Sequence, residues 1–179
     1  MEHLDSKHEA VGLPGLGNEA VAAAGRVTPA RIGELEAWQV AGQEVGLAVG
    51  RITPARIGEL ADGQVFVFGS NEYGHHGVGA ARVALRKFGA VMGQGRGLQG
   101  RSYAIPTMSG SLAAIEREVE EFIQFAASHP DLTFLVTRIG CGIAGYTDDQ
   151  IAPLFARARD IPNIHLPAEF WQVLSEEGR

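Results

Sequence analysis

A chain of 179 residues, 45% hydrophobic and 20% charged, has the balance of a soluble globular protein, with room for one ordinary domain and an extension. Its formal net charge of -6 supplies no overall basic field, which disfavours sequence-independent nucleic-acid binding but leaves scope for a local phosphate patch. The single cysteine, Cys141, excludes an intramolecular disulfide framework. No apolar run approaches the roughly 18 residues needed to cross a bilayer, and the charged segment Met1 to Glu9 lacks the apolar stretch of a signal peptide, so no membrane partner and a cytoplasmic location are expected.

Residues 1–49 are rich in small residues and carry few large apolar ones, which predicts an N-terminal extension ahead of a domain at 50–179. The extension contains a repeat: Gly25-Arg-Val-Thr-Pro-Ala-Arg-Ile-Gly-Glu-Leu35 recurs as Gly50-Arg-Ile-Thr-Pro-Ala-Arg-Ile-Gly-Glu-Leu60. Two copies are too few for a solenoid. The plain reading is a duplicated lead-in of which the second copy feeds the domain; a paired edge element or a dimer contact is the other. In each copy Thr28 or Thr53 reads as a helix N-cap, followed by Pro29 or Pro54 at the first helical position.

Val65 to Phe68 is a β-branched and aromatic run expected to be a buried strand. A glycine-rich loop follows, then a helix over Ala80 to Phe88 with Gly89 behind it. Val91 to Arg101, with four glycines, is expected to be loop or hairpin, and Ser102 to Ile105 a second strand closed by Pro106. Leu112, Ile115, Val119, Phe122, Ile123 and Ala126 recur at helical spacing, which predicts an amphipathic helix over Ser111 to Ser128 with His129 as a cation at its end. Thr133 to Thr137 is a third strand, Asp148 to Arg157 a helix capped by Thr147, Ile164 to Leu166 a last strand, and Ala168 to Glu177 a final helix docked through Phe170 and Trp171. Strands alternating with helices predict an α/β fold with a largely parallel sheet covered on both faces.

Two loops share one construction: buried strand, glycine-rich turn, helix. They are Gly69-Ser70-Asn71 through Gly77-Val78-Gly79, and Gly140-Cys141-Gly142-Ile143-Ala144-Gly145-Tyr146. At the carboxyl ends of strands such loops bring backbone N–H groups and helix dipoles to an anion. Glycine turns also occur where only a positive φ is required, so one loop alone carries little; two in one small domain point to a diphosphate cradle. No Gly-Lys-Ser/Thr follows the glycines as in a Walker A loop. The first loop runs Gly77-Val78-Gly79-Ala80-Ala81-Arg82 instead of a dinucleotide fingerprint, and the second lacks the acidic residue about twenty positions on, where Ile161 or Pro162 stands.

Phe66 to Asn71, His75 to Ala81 and Lys87-Phe88-Gly89 resemble the first ligand loop of macro domains, and Arg138 to Ile143 resembles the second. The nearest branch is that of terminal ADP-ribose protein glycohydrolase and ADP-ribose 1″-phosphate phosphatase. The resemblance covers roughly residues 64–157. It implies a macro-like three-layer α/β/α sandwich with a mixed, largely parallel six-stranded sheet and ADP-ribose across its crest. Asn71 would contact the distal ribose; Gly77, Val78 and Gly79 opposite Gly142, Ile143, Ala144 and Gly145 would wrap the diphosphate, within a ligand set that also takes in Gly69, Ser70, Gly140 and Cys141; and Tyr146 would stack on or cap the ribose. Gly50-Arg51-Ile52-Thr53 resembles a Gly-Asp-Ile-Thr entry whose aspartate holds adenine, but here Arg51 stands at that position. The branch's catalytic lysine and aspartate are also missing: Pro106-Thr107-Met108 follows the central strand, and Ala144 stands two residues after Gly142.

Hydrolysis by a ligand-bound water therefore rests on Asn71 to position the ribose, with His75 or His76 as base. Adjacent histidines seldom converge on one ion, so no metal is expected; nor is a cofactor. Cys141 reads as an activated thiolate or, more simply, as a small residue that permits close packing. Asp148 and Asp149 read as acid/base groups or, more simply, as carboxylates in a first helical turn. The expected ligand is ADP-ribose or an ADP-ribosylated substrate. The readings left open are a binder that also hydrolyses ADP-ribosyl or ADP-ribose phosphate esters, a non-catalytic reader of NAD-derived nucleotides, and another Rossmannoid nucleotide-processing enzyme.

Overall fold

The computed structural model of the chain describes residues 50–108 and 110–177; the first repeat copy and the rest of the expected extension lie outside the described residues. The elements run β1 (Gln64–Ser70), α1 (Gly79–Lys87), β2 (Gly97–Gln99), β3 (Ser102–Pro106), α2 (Leu112–Ser128), β4 (Thr133–Val136), α3 (Asp148–Ile151), a 3-10 helix (Ala152–Asp160), β5 (Ile164–His165) and α4 (Ala168–Glu177). The sheet has five strands in the order β2-β3-β1-β4-β5; only the β2–β3 pairing is antiparallel. A lone parallel bridge between Ile52 and Leu166 adds a sixth position beyond β5. The fold is thus α/β with a mixed, mostly parallel sheet. Among the described residues no helix is long and apolar enough to cross a membrane.

β1 is central, and its run Val65 to Phe68 is apolar and buried because both its faces are covered. Its alternation sends Val65 and Val67 to one core and Phe66 and Phe68 to the other. The larger core takes the α2 stripe of Ile115, Val119, Phe122, Ile123 and Ala126, together with Phe155 from the 3-10 helix and Phe170 and Leu174 from α4. The smaller core takes Ala81 and Ala84 of α1 with Phe88, whose ring centroid is 4.9 Å from that of Phe66. Gly89, at φ +77°, ends α1 and lets the Ala90 N–H reach back to the Ala84 carbonyl at 3.2 Å.

Two expectations are corrected. Thr53 caps no helix: its N–H donates to the Leu166 carbonyl (2.8 Å) and its hydroxyl to the His165 carbonyl (2.9 Å), so it pairs with the sheet edge and residues 53–61 are irregular. The helix expected over 148–157 is a single α turn followed by a 3-10 helix. The cap is as expected, with Thr147 and Gln150 forming a capping box, but Pro153 has no N–H to continue the α ladder. The glycine-rich stretch before β3 becomes the β2–β3 hairpin.

Candidate functional site

Three loops leave the carboxyl ends of the neighbouring parallel strands β3, β1 and β4. Their roots are stitched together. Thr107 N–H donates to the Ser70 carbonyl at 2.9 Å, and Thr137 donates to the Val67 carbonyl through both its N–H (3.0 Å) and its hydroxyl (2.9 Å). Gly69 lies between them, where a Cβ would come within 2.9 Å of Thr107 Oγ1 and 3.6 Å of Gly140 N. Farther out, the Tyr146 hydroxyl donates to the Gly110 carbonyl at 3.0 Å, tying the second glycine loop to the loop after β3. That bond gives Tyr146 an anchoring role alongside the ribose contact expected of it.

Asn71 organises the first loop from within. Its Oδ1 accepts the N–H groups of Tyr73 and His75, both at 3.1 Å, and its Nδ2 donates to the His75 carbonyl at 3.0 Å. The side chain expected to meet a ribose is therefore occupied by its own loop. Gly74 (φ +64°) packs against the hairpin loop so closely that a Cβ would sit 2.3 Å from Gln94 N.

The two histidines part company. His75 is exposed, its ring stacked on Tyr73 at 6.0 Å. His76 is fully buried: Nε2 is 2.9 Å from Ser70 Oγ, the ring lies edge-on to Phe68 at 5.0 Å, and Nδ1 has no hydrogen-bond partner. Burial, and then the neighbouring His75, lower its pKa, so the ring is neutral. Ser70, expected among the ligand residues, is buried in the same pair. The sequence signal for this, a His shortly after the strand-end Ser-Asn turn, is not distinguishable from that of a solvated loop residue.

Val78 and Gly79 carry a different kind of backbone. Val78 is the N-cap of α1, its side chain makes no capping bond, and the first turn holds no acidic residue, with Arg82 close behind. In the second loop, among the described residues, the N–H groups of Gly142, Ile143 and Ala144 have no hydrogen-bond partner, while Gly145 donates to the Gly142 carbonyl (3.0 Å) and Tyr146 to the Gly140 carbonyl (3.1 Å). Nothing lies within 4 Å of a Cβ built on Gly77, Gly79, Gly142 or Gly145. Val78 and Ile143 are 57% and 67% exposed.

Cys141 sits below this surface, half-buried. Burial, followed by the nearby Asp148 carboxylate, pushes its thiol pKa up to about 12. Asp148 in turn takes a two-pronged contact from Arg138 (Nε to Oδ1 3.1 Å, Nη2 to Oδ2 2.6 Å), which holds its pKa below the usual carboxylate range. Both residues fit the simpler readings: Cys141 is a small, half-buried residue, and Asp148 is a first-turn carboxylate paired with Arg138. Among the described residues no group of three or more His, Cys, Asp or Glu side chains is placed to hold a metal ion.

Arg51, at the position expected to face adenine, is built into the frame. Its guanidinium donates to the carbonyls of Ile161 (3.0 Å), Arg159 (3.0 Å) and Ala158 (3.3 Å) at the end of the 3-10 helix. It also lies 4.9 Å from the Trp171 ring, whose Nε1–H donates to the Arg51 carbonyl at 3.0 Å. Two clefts, of about 320 and 230 Å³, are lined largely by the second repeat copy, the first together with Gln64, Leu135 and His165 and the second with Phe66, Val83 and Thr137; no residue of the two glycine loops lines either. Compared with family models, with curated proteins and with solved structures, the chain matches none.

Proposed function

We propose that this chain is a macro-like three-layer α/β/α domain that binds ADP-ribose or a related NAD-derived nucleotide, with the diphosphate held between Gly77–Gly79 and Gly142–Gly145. The observation that carries the reading is the state of Gly77 and Gly142. Neither has a positive φ, and neither has a neighbour that a Cβ would strike. The protein's own conformation and packing do not require glycine there, whereas close approach of a ligand to the backbone does. Unpartnered N–H groups at Gly142 to Ala144 and the uncapped start of α1 supply donors for phosphate oxygens. The five strands plus the Ile52 bridge are compatible with the six-stranded sheet that the resemblance implies.

Binding without turnover is the form of this reading that the side chains favour. The Asn71 amide is spent inside its loop, His76 is sealed and neutral, and the Cys141 thiol is far from ionisation. Calorimetric titration with ADP-ribose, ADP and NAD tests the binding, and incubation with ADP-ribosylated protein tests the absence of turnover. Saturable heat with ADP-ribose and no release of ADP-ribose are the expected results.

A further inference from the structure

Between Gly74, clamped on the hairpin loop, and Ala81 of α1, the first glycine loop buries a single side chain, that of His76. Gly77, Val78 and Gly79 are exposed, and nothing lies within 4 Å of a Cβ built on either glycine. The ring of His76 is sealed, edge-on to Phe68 at 5.0 Å and 2.9 Å from Ser70 Oγ through Nε2. On either side the backbone is fixed by other means. Asn71 bonds the N–H and the carbonyl of His75, and the Arg82 N–H donates to the Val78 carbonyl at 3.1 Å as α1 begins. The stretch 76–79 is thus a short hinged segment pinned by one imidazole.

The Ser70 hydroxyl donates to the Asn71 carbonyl at 3.3 Å, so the ring proton sits on Nε2, facing the serine oxygen, and Nδ1 is a bare acceptor with no partner. A second proton has to enter at Nδ1, making a buried donor without an acceptor on a ring without a counter-ion. None of the surrounding elements supplies one. Phe68 and Ser70 of β1 carry no charge, and His75 of the same loop opposes a second cation. α1 opens with no acidic residue and with Arg82 in its first turn. The hairpin loop Val91 to Arg96 and the stretch Pro106 to Met108 after β3 contain no acid, and Glu72, the one carboxylate of the glycine loop, is exposed. A protonated ring is therefore driven to water, and reaching water means leaving Ser70 and taking Gly77 with it.

We propose that His76 is an acid-sensitive latch on the loop that the reading above assigns to a diphosphate: neutral, it sets Gly77 to Gly79 for the ligand; protonated, it swings out with them and the ligand is released. A solvated histidine beside a diphosphate would do the opposite, because its protonation adds attraction. ADP-ribose keeps both diphosphate charges through neutral and mildly acid pH, so the ligand itself contributes no such dependence.

The test follows the full chain from pH 8 to pH 5. Nitrogen chemical shifts of the His76 ring give its titration midpoint. Hydrogen exchange, corrected for its intrinsic pH dependence, reads the Arg82 amide for the loop and the Phe134 amide, bonded to the Asn163 carbonyl at 2.8 Å, for the whole fold. Below the midpoint, protection at Arg82 and affinity for ADP-ribose should both fall, by up to about tenfold per pH unit, while protection at Phe134 holds. In His76→Gln, which has no such titration, both should stay within about twofold of their values at pH 8. If that variant does not fold, the wild-type ring and amides decide alone. A ring that protonates with Arg82 protection unchanged overturns the latch, as does loss of protection at Arg82 and Phe134 together, or an affinity that holds or rises in acid. Absence of ADP-ribose binding at pH 8 overturns the diphosphate reading instead, and the ring and amides then still decide whether the loop opens.

Discussion

His76 and Ser70 form a closed pair at the head of β1: the imidazole Nε2 is 2.9 Å from the serine oxygen, and both side chains are buried. The pair joins the strand end to the loop that carries Gly77 to Gly79. A proton added to this ring would place a charge among Phe68, Ser70 and the neighbouring His75 with Nδ1 still unpartnered.

Acid therefore weakens the fold through His76. Its folded pKa lies below the ordinary 6.5, so its neutral form contributes full stability above that value, and the contribution is lost as pH falls through the lowered folded value. His165, lowered by burial and then by Arg51, acts in the same direction. Urea unfolding of wild type and His76→Gln should show a shallower loss of stability between pH 8 and pH 5 in the variant, the difference reaching about 1.4 kcal/mol for each pKa unit by which folding lowers the His76 value. Identical slopes would mean that His76 titrates as freely in the fold as outside it.

Asn71 is expected to be a stability residue. Asn71→Ala removes the acceptor for two backbone N–H groups and the donor to a third group, at a cost of about 1–3 kcal/mol. Asn71→Asp keeps the acceptor and loses the donor, so its denaturation midpoint should lie between those of wild type and Ala. An Ala variant as stable as wild type would remove Asn71 from the loop's architecture.

Cys141 should be a slow thiol. With its pKa pushed up to about 12, little thiolate exists at neutral pH. Asp148→Asn removes the nearby carboxylate charge and leaves Arg138 in place, so alkylation by iodoacetamide should accelerate in that variant. Wild-type alkylation as fast as that of a free small thiol would contradict the arrangement.

Much of the fold is legible in the sequence because it depends on local period. The α2 stripe from Ile115 to Ala126 and the apolar run of β1 announce their own partners as apolar faces. Thr53 misleads because Thr-Pro is a sound helix-start signal, overridden here by the backbone of His165 and Leu166, which are distant in sequence. Pro153 is visible in the sequence and marks where the α ladder stops. In the candidate site, composition alone reveals the glycine loops but not their division of labour. Gly69 and Gly74 are glycines for packing, and Gly77 and Gly142 are not, a distinction made only by what surrounds each Cα. The burial of His76 and the internal bonding of Asn71 likewise depend on chain geometry that residue types do not encode.

That division of labour gives paired expectations for stability. Gly74→Ala forces a left-handed backbone and drives a Cβ to within 2.3 Å of Gln94 N, so it should destabilise by about 3 kcal/mol or more. Gly142→Ala places its methyl in open space and should change stability by less than about 0.5 kcal/mol. Thermal melts of the two variants check the contrast, and a strongly destabilised Gly142→Ala would refute it.

The most direct measurement is calorimetric titration of ADP-ribose into wild type and Gly142→Val, with a thermal melt of each. A diphosphate cradle predicts saturable binding to wild type and at least a roughly tenfold weaker affinity in a variant that melts like it. No heat from wild type at millimolar ADP-ribose, or equal binding by the variant, would contradict the cradle.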